Sequence, residues 1–75
     1  MPKLPIISGK QAIHCFEKLG YRVTRQRGSH VVLKRETVEG VSGCVVPLHR
    51  ELAEGTLRGI LRQAQVSLEE FLAQF

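Results

Sequence analysis

Aspartate is missing from this 75-residue chain, and its only acids are seven glutamates. No acidic cluster for magnesium can be drawn from them, so metal-assisted hydrolysis has no evident ligand set. Cysteine is scarce as well. Cys15 and Cys44 lack CxxC spacing, which excludes a disulfide framework and a zinc site. Both read as reduced core residues. His14 stands beside Cys15, but adjacent residues of a helix point in different directions, so the two do not read as a metal pair. Aromatics are few, and with Tyr21 assigned to the core little remains to stack bases, so strong sequence selectivity by stacking is not expected. No apolar run approaches the ~18 residues of a membrane span. The start, MPKLPIIS, has neither the apolar stretch nor the small-residue cleavage site of a signal peptide. No membrane association is expected, and the cytoplasm is the expected location. Repeats and low-complexity segments are absent too.

What is present is an ordinary globular composition. Hydrophobic residues make up 43%, too many for a disordered chain. One domain, residues 1–75, is the only sensible division, and most apolar residues must serve a single core. The net charge is +4 and the sequence pI about 9.6. That balance favours a polyanionic partner, either nucleic acid or an acidic protein surface.

Capping patterns and periodicity divide the chain. Ser8-Gly9-Lys10-Gln11 is a capping box. Ile13, Phe16 and Leu19 follow at helical spacing, and Gly20 is a natural stop, so a helix is expected from Gly9 to Leu19. Three strands are expected at 21–25, 29–35 and 43–48, with Pro47 marking an edge strand and 36–42 a polar loop. Gly55-Thr56 opens a second helix whose apolar face is Leu57, Ile60, Leu61 and Ala64. Ser67 to Glu70 is another capping box. It starts a last helix with the stripe Leu68, Phe71, Leu72 and Phe75. The order α-β-β-β-α-α gives an α+β fold: a three-stranded antiparallel sheet with helices packed on one face. The other face is free for function.

The hydrophobic pattern sets an expected register. With Tyr21 and Val23 toward the helices, Val31 and Leu33 share that face. Val23 then pairs with Val31 and Thr24 with His30. A three-residue loop, 26–28, has Gly28 in the left-handed position. Arg22, Thr24, His30, Val32 and Lys34 come out on the open face. On the third strand Cys44, Val46 and Leu48 point inward, leaving Val45, Pro47 and His49 outside. If Leu33 lies across from Val46, His30 lies across from His49; a slip of two residues keeps both on one face but separates them along the strands.

A histidine on a hairpin is most often just a polar surface residue, and basic residues are most often a solvated face. His30 among cations nevertheless suits RNA cleavage. A neutral imidazole can take the proton of a ribose 2′-hydroxyl, and that oxygen then attacks the adjacent phosphorus. The products are a 2′,3′-cyclic phosphate and a free 5′-hydroxyl. Arg25, Arg27, Lys34 and Arg35 are placed to hold phosphates or to stabilise charge on the non-bridging oxygens. No metal or other cofactor is called for. His49 or a lysine is a candidate acid for the leaving oxygen.

Three stretches carry a family resemblance: ISGKQAIHCFEKLGY at 7–21, RQRGSHVVLKR at 25–35 and VVPLHRELAEGTLRGILRQAQVSLEEF at 45–71. The ordered set G-K, G-S-H, V-P-x-H, G-T-L-R-x-I-L and S-x-E-E-F is specific, although G-S-H alone is weak. The chain resembles the HicA toxins, small mRNA interferases of type II toxin–antitoxin systems. The resemblance implies a double-stranded-RNA-binding-domain-like fold, endoribonuclease activity and neutralisation by a HicB antitoxin. It makes His30 the catalytic residue, with Gly28 and Ser29 completing its motif. It leaves His49 as an assisting acid or phosphate contact and Lys10 of the G-K pair among the RNA-binding residues. Glu54 departs from the pattern, where the family more often has a basic residue or proline. Two rival readings stand beside this one: a non-catalytic double-stranded-RNA-binding module, and a small protein that holds an acidic partner on its basic face.

Overall fold

The computed structural model describes residues 4–75, so the first three residues of the MPKLPIIS start lie outside the described residues. The elements are α1 (Gly9–Lys18), β1 (Arg22–Arg27), β2 (His30–Thr37), β3 (Gly40–Pro47), α2 (Glu54–Ala64) and α3 (Leu68–Leu72). The strands form one antiparallel sheet in the order β1-β2-β3. This is the expected α+β architecture, and it is consistent with the double-stranded-RNA-binding-like resemblance. No helix among the described residues is long and apolar enough to cross a membrane.

The capping boxes form as their residues dictate. Ser8 Oγ accepts the Gln11 N–H at 3.1 Å, and the Ser8 N–H donates to Gln11 Oε1 at 2.8 Å. Two otherwise orphaned donors at the start of α1 are thereby satisfied. Ser67 and Glu70 repeat the arrangement at α3. Hydrogen bonds from Ser67, backbone first, hold the Glu70 carboxyl below its ordinary pKa. At α2 the N-cap is Ala53, which offers no side-chain acceptor. Glu54 supplies negative charge to that first turn instead and lies 3.7 Å from Arg58. Exposed pairs of this kind contribute a few tenths of a kcal/mol. The departure at Glu54 thus has a local structural use.

The core gathers residues from every element except β1. Phe16 packs against Tyr21 with ring centroids 5.5 Å apart and against Phe71 at 5.2 Å. Burying a side chain of this size contributes about 1.5–3 kcal/mol. On α1 the buried stripe is Ala12, Cys15 and Phe16, with Ile13 and Leu19 only partly covered. The α2 face is the expected Leu57, Ile60, Leu61 and Ala64. The last stripe is shorter than its periodicity suggests. Phe71 is buried and Leu68 and Leu72 are half-buried, but α3 ends at Leu72 and Phe75 is 58% exposed.

Three expectations about the sheet are corrected. First, most of 36–42 is strand: β2 runs to Thr37, β3 starts at Gly40, and only Val38 and Glu39 form the turn. Residues 36–41 are all exposed, so they carry no inward apolar alternation to read. Second, β1 continues to Arg27, and the loop before β2 is the two residues Gly28 and Ser29, with Gly28 at φ +56°. Third, Val23 is 45% exposed although it pairs with buried Leu33. The helices pack over β3, and β1 lies beyond their cover with all six of its residues exposed. Tyr21, just before β1, is buried as expected.

Candidate functional site

The register decides which side chains share the open face. From Arg22 to Val23 the ladder is regular, with Arg22 opposite Lys34 and Val23 opposite Leu33. Thr24 is then skipped. Arg25 pairs with Val32, Gln26 with Val31 and Arg27 with His30. This is a β-bulge, one extra residue in one strand, and it reverses the side-chain parity of everything beyond it. The Thr24 hydroxyl donates to the Val32 carbonyl at 3.4 Å. The expected pairs Val23–Val31 and Thr24–His30 are therefore corrected. Arg25 and Arg27, rather than Thr24, come to the face of His30.

Buried Val31, Leu33, Cys44 and Val46 define the helix side, since they pair with one another and belong to the core. The open face is what alternates with them. Three rows cross all three strands: Arg27, His30 and Pro47; Arg25, Val32 and Val45; Arg22, Lys34 and Gly43; a fourth, Glu36 with Val41, lies on β2 and β3 alone. Charge grades across it, from an arginine column on β1 to an apolar column on β3. His30 is exposed at the end of this face, directly after the turn of Gly28 and Ser29.

The second histidine is placed by the slip of two residues. Leu33 pairs with Cys44, and His30 with Pro47, so His49 falls beyond the end of β3 and not opposite His30. Pro47 falls on the open side of the register as expected, but it is buried there. Backbone bonds fasten this end of the molecule. The Leu48 N–H donates to the Ser29 carbonyl at 2.6 Å, and the Gly9 N–H to the His49 carbonyl at 2.9 Å. Each histidine is thus the chain neighbour of one partner in the Ser29–Leu48 bond, and the exposed His49 side chain is held at the end of the sheet where His30 begins.

Gly9 is the hinge of that corner. A Cβ there would lie 2.0 Å from the Pro47 carbonyl oxygen and 3.0 Å from Leu48 Cα. The glycine of the G-K pair is needed for space, so that α1 can start against the end of β3. Lys10, the next residue, is exposed. It lines a hollow of about 450 Å³ with Gln11, His14, Lys18 and Phe75.

Arg35 is not brought to the open face. It pairs with Ser42 on the helix side, donates to the Leu19 carbonyl at 3.0 Å, and stacks 4.7 Å from the centre of the Tyr21 ring. Tyr21 in turn donates its hydroxyl to the Ala64 carbonyl at the end of α2 and lies 2.8 Å from Ser42 Oγ. This assembly ties the ends of α1 and α2 to the sheet. Arg35 therefore has a structural use that its position in a basic run did not suggest. Conversely Arg22, left out of the expected RNA-binding set, joins Arg25 and Arg27. One signal for the bulge was available: arginines at 22, 25 and 27 share a face only if one residue between the first two is extra.

The thiols are closed off. Burial raises the Cys44 pKa to about 11 and raises that of Cys15 as well. Among the described residues no three of His, Cys, Asp or Glu come together as a metal ion would require.

A small α+β protein with an exposed histidine at the end of a cation-edged sheet is thereby defined. The family model described as the HicA toxin of bacterial toxin–antitoxin systems matches residues 9–66. That span takes in Gly9, the whole sheet and α2, and the chain belongs to this family. Membership implies an antitoxin partner. No curated protein matches the chain.

Proposed function

We propose that this toxin is a metal-independent endoribonuclease that cleaves mRNA in the cytoplasm, with His30 as general base and a HicB-type antitoxin as its inhibitor. The observation that carries the reading is His30 itself. It is exposed beside Arg27 at the end of an open basic face, in a chain of the toxin family. In the reaction His30 takes the proton of a ribose 2′-hydroxyl. The 2′-oxygen bonds to the adjacent phosphorus as the bond to the 5′-oxygen breaks, leaving a 2′,3′-cyclic phosphate. The departing 5′-oxygen needs a proton, and His49, exposed at the same end of the sheet, is the candidate to supply it. Arg25, Arg27 and Lys34 hold phosphates and offset charge on the non-bridging oxygens, and Gly28 and Ser29 shape the turn that presents His30. An antitoxin seated on the open face would cover His30 and exclude RNA together.

The test compares purified wild type with His30→Ala on a transcript, with and without EDTA. Cleavage with a 2′,3′-cyclic phosphate end is expected from the wild type in both conditions, and none from the variant. Cleavage by a folded His30→Ala protein refutes the assignment. RNA binding without any cleavage by the wild type supports the rival reading as a binding module.

A further inference from the structure

The arginines of β1 stand at positions 22, 25 and 27, and the bulge at Thr24 aligns them on one face. All three are exposed, and none is paired with an acid among the described residues, where the one ion pair is Glu54–Arg58. The partners of these arginines on β2, Lys34, Val32 and His30, are two residues apart, so successive rows of the column are about 7 Å apart. That is comparable to the step between neighbouring phosphates in an extended nucleotide chain. Beside the column, toward β3, lie half-buried Val32 and exposed Val45. These aliphatic surfaces can carry sugars and bases but offer no hydrogen-bond code. A module that reads an RNA duplex spans two minor grooves and the phosphates between them. A single column of three cations at a sheet edge fits one strand.

We infer that β1 is a backbone track for single-stranded RNA: Arg22, Arg25 and Arg27 take consecutive phosphates on one side of the bond whose cleavage His30 assists as base. The inference rests on the proposed role of His30 and adds to it a substrate class and the path of the bound strand. Arg27 is opposite His30, so the track runs from the scissile phosphate along β1 toward Arg22. The nucleotides on the far side of the cut leave the sheet past the turn of Gly28 and Ser29.

Binding is measured on the full-length His30→Ala protein, with a labelled oligouridylate as probe and fluorescence anisotropy across a salt series. Substituting Arg25→Ala or Arg27→Ala should weaken binding about tenfold each. Each should also reduce the steepness of log K against log salt by about 0.7, the single-strand value for one phosphate contact. Arg62→Ala on α2 removes the same charge from an exposed position off the sheet and should leave the slope unchanged. The exchange Arg25→Gln with Gln26→Arg keeps composition and net charge but moves one guanidinium to the helix side, and it should weaken binding as Arg25→Ala does. Parent-like binding by a folded exchange variant overturns the track, because net charge alone would then suffice. So does tighter binding of an RNA duplex of equal length. These binding results do not depend on cleavage. A wild type that binds as described but never cleaves would overturn the role of His30 and leave the track standing.

Discussion

Gly9→Ala is the sharpest test of how the corner beside His30 is built. The added methyl would sit 2.0 Å from the Pro47 carbonyl oxygen, and real Cβ contacts essentially never fall below 3.0 Å. The start of α1 and the end of β3 must therefore separate by about 1 Å. Overpacking that displaces backbone costs about 1–3 kcal/mol. The same displacement strains the Gly9–His49 backbone bond of 2.9 Å, worth about 0.5–1.5 kcal/mol. Alanine returns at most about 1 kcal/mol of helix propensity. The net loss is about 0.5–3.5 kcal/mol, with about 2 kcal/mol at the middle of the range. A domain of this length has a total stability of about 4–11 kcal/mol. Urea unfolding followed by far-UV circular dichroism should show a lower midpoint with an unchanged slope, and thermal unfolding should shift down by 10 °C or more. A Gly9→Ala protein within about 0.5 kcal/mol of the parent would refute the close approach, and with it the claim that this glycine serves space.

Other consequences follow from the same contacts. Tyr21→Phe removes the hydroxyl that satisfies the Ala64 carbonyl and should cost about 1–3 kcal/mol in urea unfolding, whereas an unchanged midpoint would mean that water replaces it. Arg35→Ala should destabilise by about 1–2 kcal/mol through loss of the Leu19 bond and the stacking on Tyr21, yet leave oligouridylate binding within about twofold; a loss of binding like that of Arg25→Ala would put Arg35 on the open face after all. Burial holds the Cys44 pKa at about 11 against an ordinary 9.0, so the folded state keeps a proton that the unfolded chain releases. The associated stability is complete below pH 9 and falls by about 2–3 kcal/mol as pH rises from 9 to 11. The difference in pH dependence between the parent and Cys44→Ala should show that fall, and parallel curves would contradict the burial.

Element types were legible because each had a local cause. Both capping boxes, the α2 stripe and the inward set on β3 rest on residues within one or two turns of each other. The register was legible only in part. Alternation distinguishes inner from outer residues along a strand, but the only sign of an extra residue in β1 is the spacing of its arginines, and Thr24 resembles any other β-branched strand residue. Sliding β3 by two residues preserves the alternation too, so the Leu33–Val46 and Leu33–Cys44 pairings look alike from the sequence. Exposure of β1 depends on how far the helices reach, which no residue of β1 encodes. The use of Arg35 was hidden for the same reason. Its partners are Leu19, sixteen residues earlier, and the Tyr21 ring, and a basic run reads as surface until those are in place.

The cost of the open face bears on why it exists. Arg22 is directly opposite Lys34, and Arg25 and Arg27 follow it along the same face. Like charges facing one another across a strand pair destabilise it. For unit charges about 7 Å apart in water the repulsion is about 0.6 kcal/mol, reduced further by a Debye length of about 8 Å at physiological salt. Each pair is tolerable alone, but the column brings several together at one edge. Glu36, paired with Val41 one row beyond Lys34, is the one acid on this face, and no acid stands opposite any arginine of the column. The buried side uses its one cation differently, satisfying a helix-end carbonyl and an aromatic ring with Arg35. A small domain that spends its interior cation on structure and leaves its exterior cations unpaired on one face has that face configured for an external anion. An RNA backbone and an acidic antitoxin surface both supply one, and either would turn the repulsion within the column into attraction.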